Sequence, residues 1–140
     1  MVRTLANRIA RRPPTSDQLW PNAIAESLVT PLNLYLLHEL VERLRRLDIG
    51  GDIVECGVYR GGSAAILGWS MMQLGDGART LRLFDSFAGM PLATDKDGEF
   101  SHTLEGKYVG SEESTRRLLR QAGVPTDRYE IVVGPVSYTH

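Results

Sequence analysis

The sequence predicts an α/β protein built on a parallel sheet. Three observations carry that expectation. Short apolar runs at about Asp52–Cys56, Thr80–Phe84 and Tyr129–Val133 read as strands, and stretches with helical spacing alternate with them. A glycine-rich turn, Gly57–Ser63, joins the first strand to a helix. Two acids, Glu55 and Asp85, stand at the carboxyl ends of the first two strands. An α-β-α-β-α-β order is that of parallel strands linked by right-handed crossovers.

The bulk numbers agree with one soluble globular domain. The chain has 140 residues, 42% of them apolar and 24% charged, with a net charge of −1. That balance leaves no electrostatic footprint for nucleic acid. No apolar run is long enough to span a membrane. Cys56 is the single cysteine, so no intrachain disulfide forms. Its place in a strand reads as a small buried hydrophobe, and a reduced thiol suits the cytoplasm.

The elements follow in order. Residues 1–29 read as an irregular lead-in, basic through Arg3, Arg8, Arg11 and Arg12, beginning with a frayed, solvated helix that Pro13-Pro14 ends and punctuated again by Pro21. Thr30 is a good N-cap and Pro31 a good first helical residue. Leu37, Leu40, Val41, Leu44 and Leu47 then form an apolar stripe read as core packing, and Gly50-Gly51 stops the helix. After the first strand and its turn, a helix covers roughly Ser63–Leu74, closed by Gly75-Asp76-Gly77. A long segment, 85–110, follows the second strand with Asp95, Asp97, Glu99 and His102, and reads as a solvated, mobile lid. It lacks the glycine and distal glutamate of a calcium loop. Ser111 caps another helix, with Glu112 and Glu113 in its first turn and Leu118, Leu119 and Ala122 on its buried side. The Ile131-Val132-Val133 run reads as a strand buried on both faces.

Ligands in open α/β sheets bind at the carboxyl ends of the strands, so Glu55, the glycine turn and Asp85 define one candidate site. Turn glycines let a backbone approach a ligand closely, and a helix N-terminus offers unpaired N–H donors. A carboxylate after the second strand can accept from ribose hydroxyls. The competing readings are structural: Glu55 capping loop amides, Asp85 capping the turn at Ser86, Arg60 in a surface ion pair. The turn is not the dinucleotide fingerprint, since Val58, Tyr59 and Arg60 separate Gly57 from Gly61.

Glu55-x-Gly57-Val58-Tyr59-Arg60-Gly61-Gly62-Ser63, together with Asp85-Ser86-Phe87-Ala88-Gly89-Met90-Pro91, resembles the macrocin O-methyltransferase-like family. These are S-adenosylmethionine-dependent enzymes of the class I, Rossmann-like type. The resemblance spans about residues 28–134, including the capped helix from Thr30 and the Gly110-Ser111-Glu112-Glu113 helix start.

That resemblance implies the following roles. Glu55 and the loop Gly57, Val58, Tyr59, Arg60, Gly61, Gly62 and Ser63 hold the methionine part of S-adenosylmethionine. Asp85 holds the ribose, and Ser86 and Phe87 line the adenosine side. Arg60 steers the cofactor carboxylate or buttresses the loop. Thr30 is a lesser contact, since N-capping explains it. His102 is a lesser candidate for a base. The acceptor is a small molecule bearing a hydroxyl, a sugar or another natural product. A divalent metal such as magnesium, bound by acids after a fourth strand, and self-association are features the resemblance attaches to a full-length protein. No catalytic residue is expected within these three strands. The chain is expected to be a truncated gene fragment, residues 30–134 being a partial cofactor domain and 135–140 a non-native tail. The rival readings are a nucleotide-binding oxidoreductase and an inactive Rossmann-like binding module.

Overall fold

The computed structural model describes residues 16–94 and 96–135. The basic lead-in of residues 1–15, Asp95 and the tail of residues 136–140 lie outside the described residues. The elements in chain order are α1 (Ser16–Ala25), α2 (Pro31–Arg46), β1 (Ile53–Cys56), α3 (Gly62–Gln73), β2 (Leu81–Asp85), α4 (Glu99–His102), α5 (Glu112–Gln121), a short 3-10 turn (Thr126–Arg128) and β3 (Tyr129–Val133). The three strands are parallel in the order β1-β2-β3. Their register places Glu55 beside Leu83, and Asp85 beside Val133.

The expected caps form. Thr30 Oγ1 accepts from Asn33 N at 3.3 Å, and Ser111 Oγ accepts from Ser114 N at 3.1 Å. Each satisfies one orphan amide of its helix. Helix α1 is new, because the sequence places a helix only before Pro13-Pro14, outside the described residues, and reads 16–29 as irregular. Pro21 lies inside it and removes one helical donor. Burial of Leu19 and Ala23 against the core outweighs that loss.

The core sits between α3 and the sheet. A Cβ at Gly68 would stand 2.6 Å from Val124 and within 3.6 Å of Leu119 and Leu81, so α3, α5 and β2 meet there. Alanine at that site would push the neighbouring layers apart. Helices α1 and α2 pack on α3 rather than on the sheet. The joint holds an edge-to-face Trp20–Trp69 pair with centroids 6.3 Å apart, and His38 Nδ1 lies 2.8 Å from Ser70 Oγ. Ser70 donates its own hydrogen to Ile66 O, so the His38 ring nitrogen must be the donor of this bond.

Three burial expectations are corrected. Cys56 is exposed, Val132 and Val133 are exposed, the latter at 55%, and the α2 stripe is split. For Cys56 and Val132 the reason is that α3 and α5 cover one face of the sheet, whereas Val133 alternates onto the Ile131 side and is exposed as the last residue of edge strand β3. Ile53, Leu81, Leu83 and Ile131 point under α3 and α5, whereas Val54, Cys56 and Val132 point to the opposite, open face. In α2, Leu34 and Val41 are buried while Leu40 and Leu47 are 54% and 56% exposed. The helix meets α3 along the Leu34–Val41 line, so residues on its far flank stay outside.

The amino-terminal ends of the strands are fastened by two arginines. Arg79 is buried; its Nε donates to Asp76 Oδ2 and its Nη1 to Gly51 O, each at 2.7 Å, and its Nη2 donates to Ile49 O. Arg128 Nη2 donates to Asp76 O at 2.7 Å and to Arg79 O at 2.6 Å. One charged cluster therefore ties together the turns before β1, β2 and β3.

Candidate functional site

At the opposite ends of the strands, β1, β2 and the turn after β1 bring Glu55, Ser63, Asp85 and the loop amides together. Asp85 organises the turn. Its Oδ2 accepts from Val58 N at 2.6 Å and from Tyr59 N at 2.7 Å. Its Oδ1 accepts from Phe87 N at 2.7 Å. A carboxylate offers about four lone-pair positions, so one position on Oδ1 is left for a ligand. The chain beyond it is anchored too, since Gly134 N donates to Asp85 O at 3.0 Å.

Glu55 behaves differently. Its Oε1 accepts from the Ser63 hydroxyl. Its Oε2 is buried and has no partner. Burial pushes the Glu55 carboxyl up to about 7; the Ser63 bond opposes this and the neighbouring Asp85 charge adds to it. A buried, unpartnered acceptor is costly and calls for a donor. The donor that suits it is cationic, because a positive charge would also favour the ionised carboxylate.

The glycines of the turn have separate tasks. Gly57, at φ +88°, has nothing within 4 Å of where a Cβ would stand, and so leaves room for a ligand. Gly61 and Gly62 face protein instead. A Cβ on Gly61 would meet Thr115 Cα of α5 at 2.6 Å, and one on Gly62 would meet Ala23 O of α1 at 2.2 Å. The α3 N-terminus is also partly satisfied internally, because Gly62 N donates to Glu26 O at 3.1 Å. One of the donors expected there is therefore used by the protein itself.

The remaining candidates divide. Ser86 Oγ accepts from Ala88 N at 3.2 Å and shapes the turn after Asp85. Tyr59 and Phe87 adopt left-handed backbone, φ +57° and +54°, a conformation that costs of order 1–3 kcal/mol in a residue with a side chain. Asp85 holds both through their amides. Arg60 turns away to Glu26, with Nη1 at 3.2 Å from Oε2. Arg117 reaches the same carboxylate at 3.1 Å.

Segment 86–111 is tied to itself by backbone bonds. Met90 N donates to Lys107 O at 2.8 Å and Gly106 N to Met90 O at 3.0 Å. Several of its described polar side chains bond within the segment. Asp97 accepts from the Thr94 amide and hydroxyl, and His102 pairs with Glu105 at 3.1 Å. Among the described residues, no three His, Cys, Asp or Glu side chains converge to hold a metal ion. The sequence reading also missed Glu26 and Thr115, neither of which lies in a motif.

A parallel sheet with a glycine turn after β1 and an acid at the end of β2 defines a Rossmann-like α/β protein. Residues 3–137 match the macrocin-O-methyltransferase (TylF) family, and the chain belongs to it. It is 39% identical over 86 residues to the 8-demethyl-8-(2,3-dimethoxy-alpha-L-rhamnosyl)-tetracenomycin-C 4'-O-methyltransferase of Streptomyces olivaceus, covering 61% of this chain and 31% of that enzyme. Two solved structures share the fold. The O-methyltransferase NovP superposes with a TM-score of 0.66 at 24% identity, covering 78% of this chain and 47% of NovP. The calicheamicin methyltransferase CalS11 superposes with a TM-score of 0.60 at 20% identity, covering 89% and 52%. The chain thus spans between about a third and a half of these relatives.

Proposed function

We propose that this chain carries the S-adenosylmethionine-binding part of an O-methyltransferase whose acceptor is a hydroxyl of a sugar or other natural product. Family membership supports the reaction class. The single structural observation that supports the cofactor is the buried, unpartnered Oε2 of Glu55, which matches the ammonium of a methionine moiety. Gly57 leaves space beside it. The free lone pair on Asp85 Oδ1 suits a ribose hydroxyl, with Ser86 and Phe87 bordering the adenosine. Val58, Tyr59, Gly61, Gly62 and Ser63 build the loop, and Arg60 braces it through Glu26.

When bound, S-adenosylmethionine supplies an activated methyl on a sulfonium. The chain's own contribution is alignment: it fixes the amino-acid and ribose ends so that the methyl is presented in one direction. The described residues do not fit the divalent metal implied for a full-length protein. That ion, the acceptor pocket and any self-association are assigned to the remainder of such a protein.

Isothermal titration of the full-length protein with S-adenosylhomocysteine tests the reading. Binding is expected, with Asp85→Ala abolishing it and Glu55→Gln weakening it roughly tenfold or more. Because burial pushes the Glu55 carboxyl up to about 7, affinity is expected to rise from pH 6 to pH 8 as the carboxylate becomes ionised. Saturation by a nicotinamide dinucleotide in place of S-adenosylhomocysteine would overturn it.

A further inference from the structure

Gly110 lies outside both sequence motifs of the site, yet it stands where segment 86–111 meets the glycine turn. A Cβ placed on it would be 2.5 Å from Tyr59 O and 2.9 Å from Phe87 Cδ1. Both neighbours are held. Ser111 N donates to Tyr59 O at 2.9 Å, and Asp85 binds the amides of Tyr59 and Phe87. Both also carry the left-handed backbone described above. The carbonyl cannot recede from such a Cβ without lengthening the Ser111 bond.

We infer that Gly110 is a positioning residue for the ligand site: its missing side chain lets segment 86–111 lock Tyr59 and Phe87 in the conformations that bring Asp85 and the turn into register. This rests on the cofactor reading above. Gly110 itself touches no ligand and acts through Tyr59 O and the Phe87 ring. The rest of the segment supports the lock, because Gly89, at φ +85°, is closely packed on Lys107 O. The same segment holds a glycine without such a constraint, since Gly98 has nothing within 4 Å of a Cβ position.

The test compares Gly110→Ala with Gly98→Ala in the full-length protein by titration with S-adenosylhomocysteine. It is run at a temperature where near-ultraviolet circular dichroism shows each variant fully folded, so a mere loss of stability leaves affinity untouched. Gly110→Ala is expected to weaken binding by roughly tenfold to a hundredfold, and Gly98→Ala to stay within about twofold. Equal affinity for wild type and Gly110→Ala would overturn the inference. Failure of wild type to bind would instead overturn the cofactor reading. Hydrogen exchange on the wild type keeps the inference testable if Gly110→Ala does not fold. Saturating ligand is expected to slow exchange of the Ser111 amide by roughly tenfold, and an unchanged rate would overturn the inference.

Discussion

Two neighbouring carboxylates at the sheet ends serve opposite purposes, and their hydrogen bonds decide which. Asp85 is nearly saturated by backbone amides, whereas Glu55 keeps a buried oxygen without a donor. Glu55 therefore lowers the stability of the ligand-free protein. The Glu55 carboxyl rises from 4.5 to about 7 on folding, so the native state binds the extra proton. The penalty is absent below pH 4.5, grows as pH rises and is complete above about 7. Its upper size is about 3 kcal/mol. Urea unfolding of Glu55→Gln should show a gain over wild type at pH 8 that vanishes at pH 4.5. The motif glycines carry a second lesson. Gly62 reads from sequence as a place for ligand approach, but its empty Cβ position is filled by Ala23 O at 2.2 Å. Gly62→Ala should therefore cost about 2 kcal/mol or more in thermal unfolding, a steric loss and not a lost ligand contact. Nothing in the local sequence separates it from Gly57, because the difference lies in what α1 places beside it.

At the scale of elements, caps and strands were legible and burial was not. Thr30, Pro31 and Ser111 act locally, so their neighbours in sequence suffice to read them. The bounds of β3 matched for the same reason. Helix α1 was missed because its stability comes from Leu19 and Ala23 reaching distant partners, while Pro21 argued against it locally. Leu40 and Leu47 share helical spacing with Val41, and periodicity alone cannot say which flank of an apolar helix meets α3. The arginine cluster at the far end of the sheet was equally hidden, since Arg79 joins residues 28 and 30 positions away. Removing one member of a buried, hydrogen-bonded ion pair is severe. Arg79→Ala is expected to lose about 3 kcal/mol or more in chemical denaturation, through detachment of the turns before β1 and β2.

At the scale of the whole molecule, the motifs pointed to the correct family while the layering stayed out of reach. Glu55–Ser63 and Asp85–Pro91 were enough to name the macrocin-O-methyltransferase resemblance that residues 3–137 bear out. The one-sided placement of the helices has no signature in apolar content, so the Ile131-Val132-Val133 run reads as a strand buried on both faces. Val54, at 57% exposure, belongs to that open face. The bond from Gly134 to Asp85 O also has a kinetic consequence. Asp85 grips amides 26 and 27 residues earlier in the chain, and its own carbonyl is held from beyond β3. The clamp therefore closes only after loops on both sides have been gathered, and such distant closures come late in folding. In stopped-flow refolding, helical signal should return first and the capacity to bind S-adenosylhomocysteine last, so that the ligand serves as a clock for completion of the sheet.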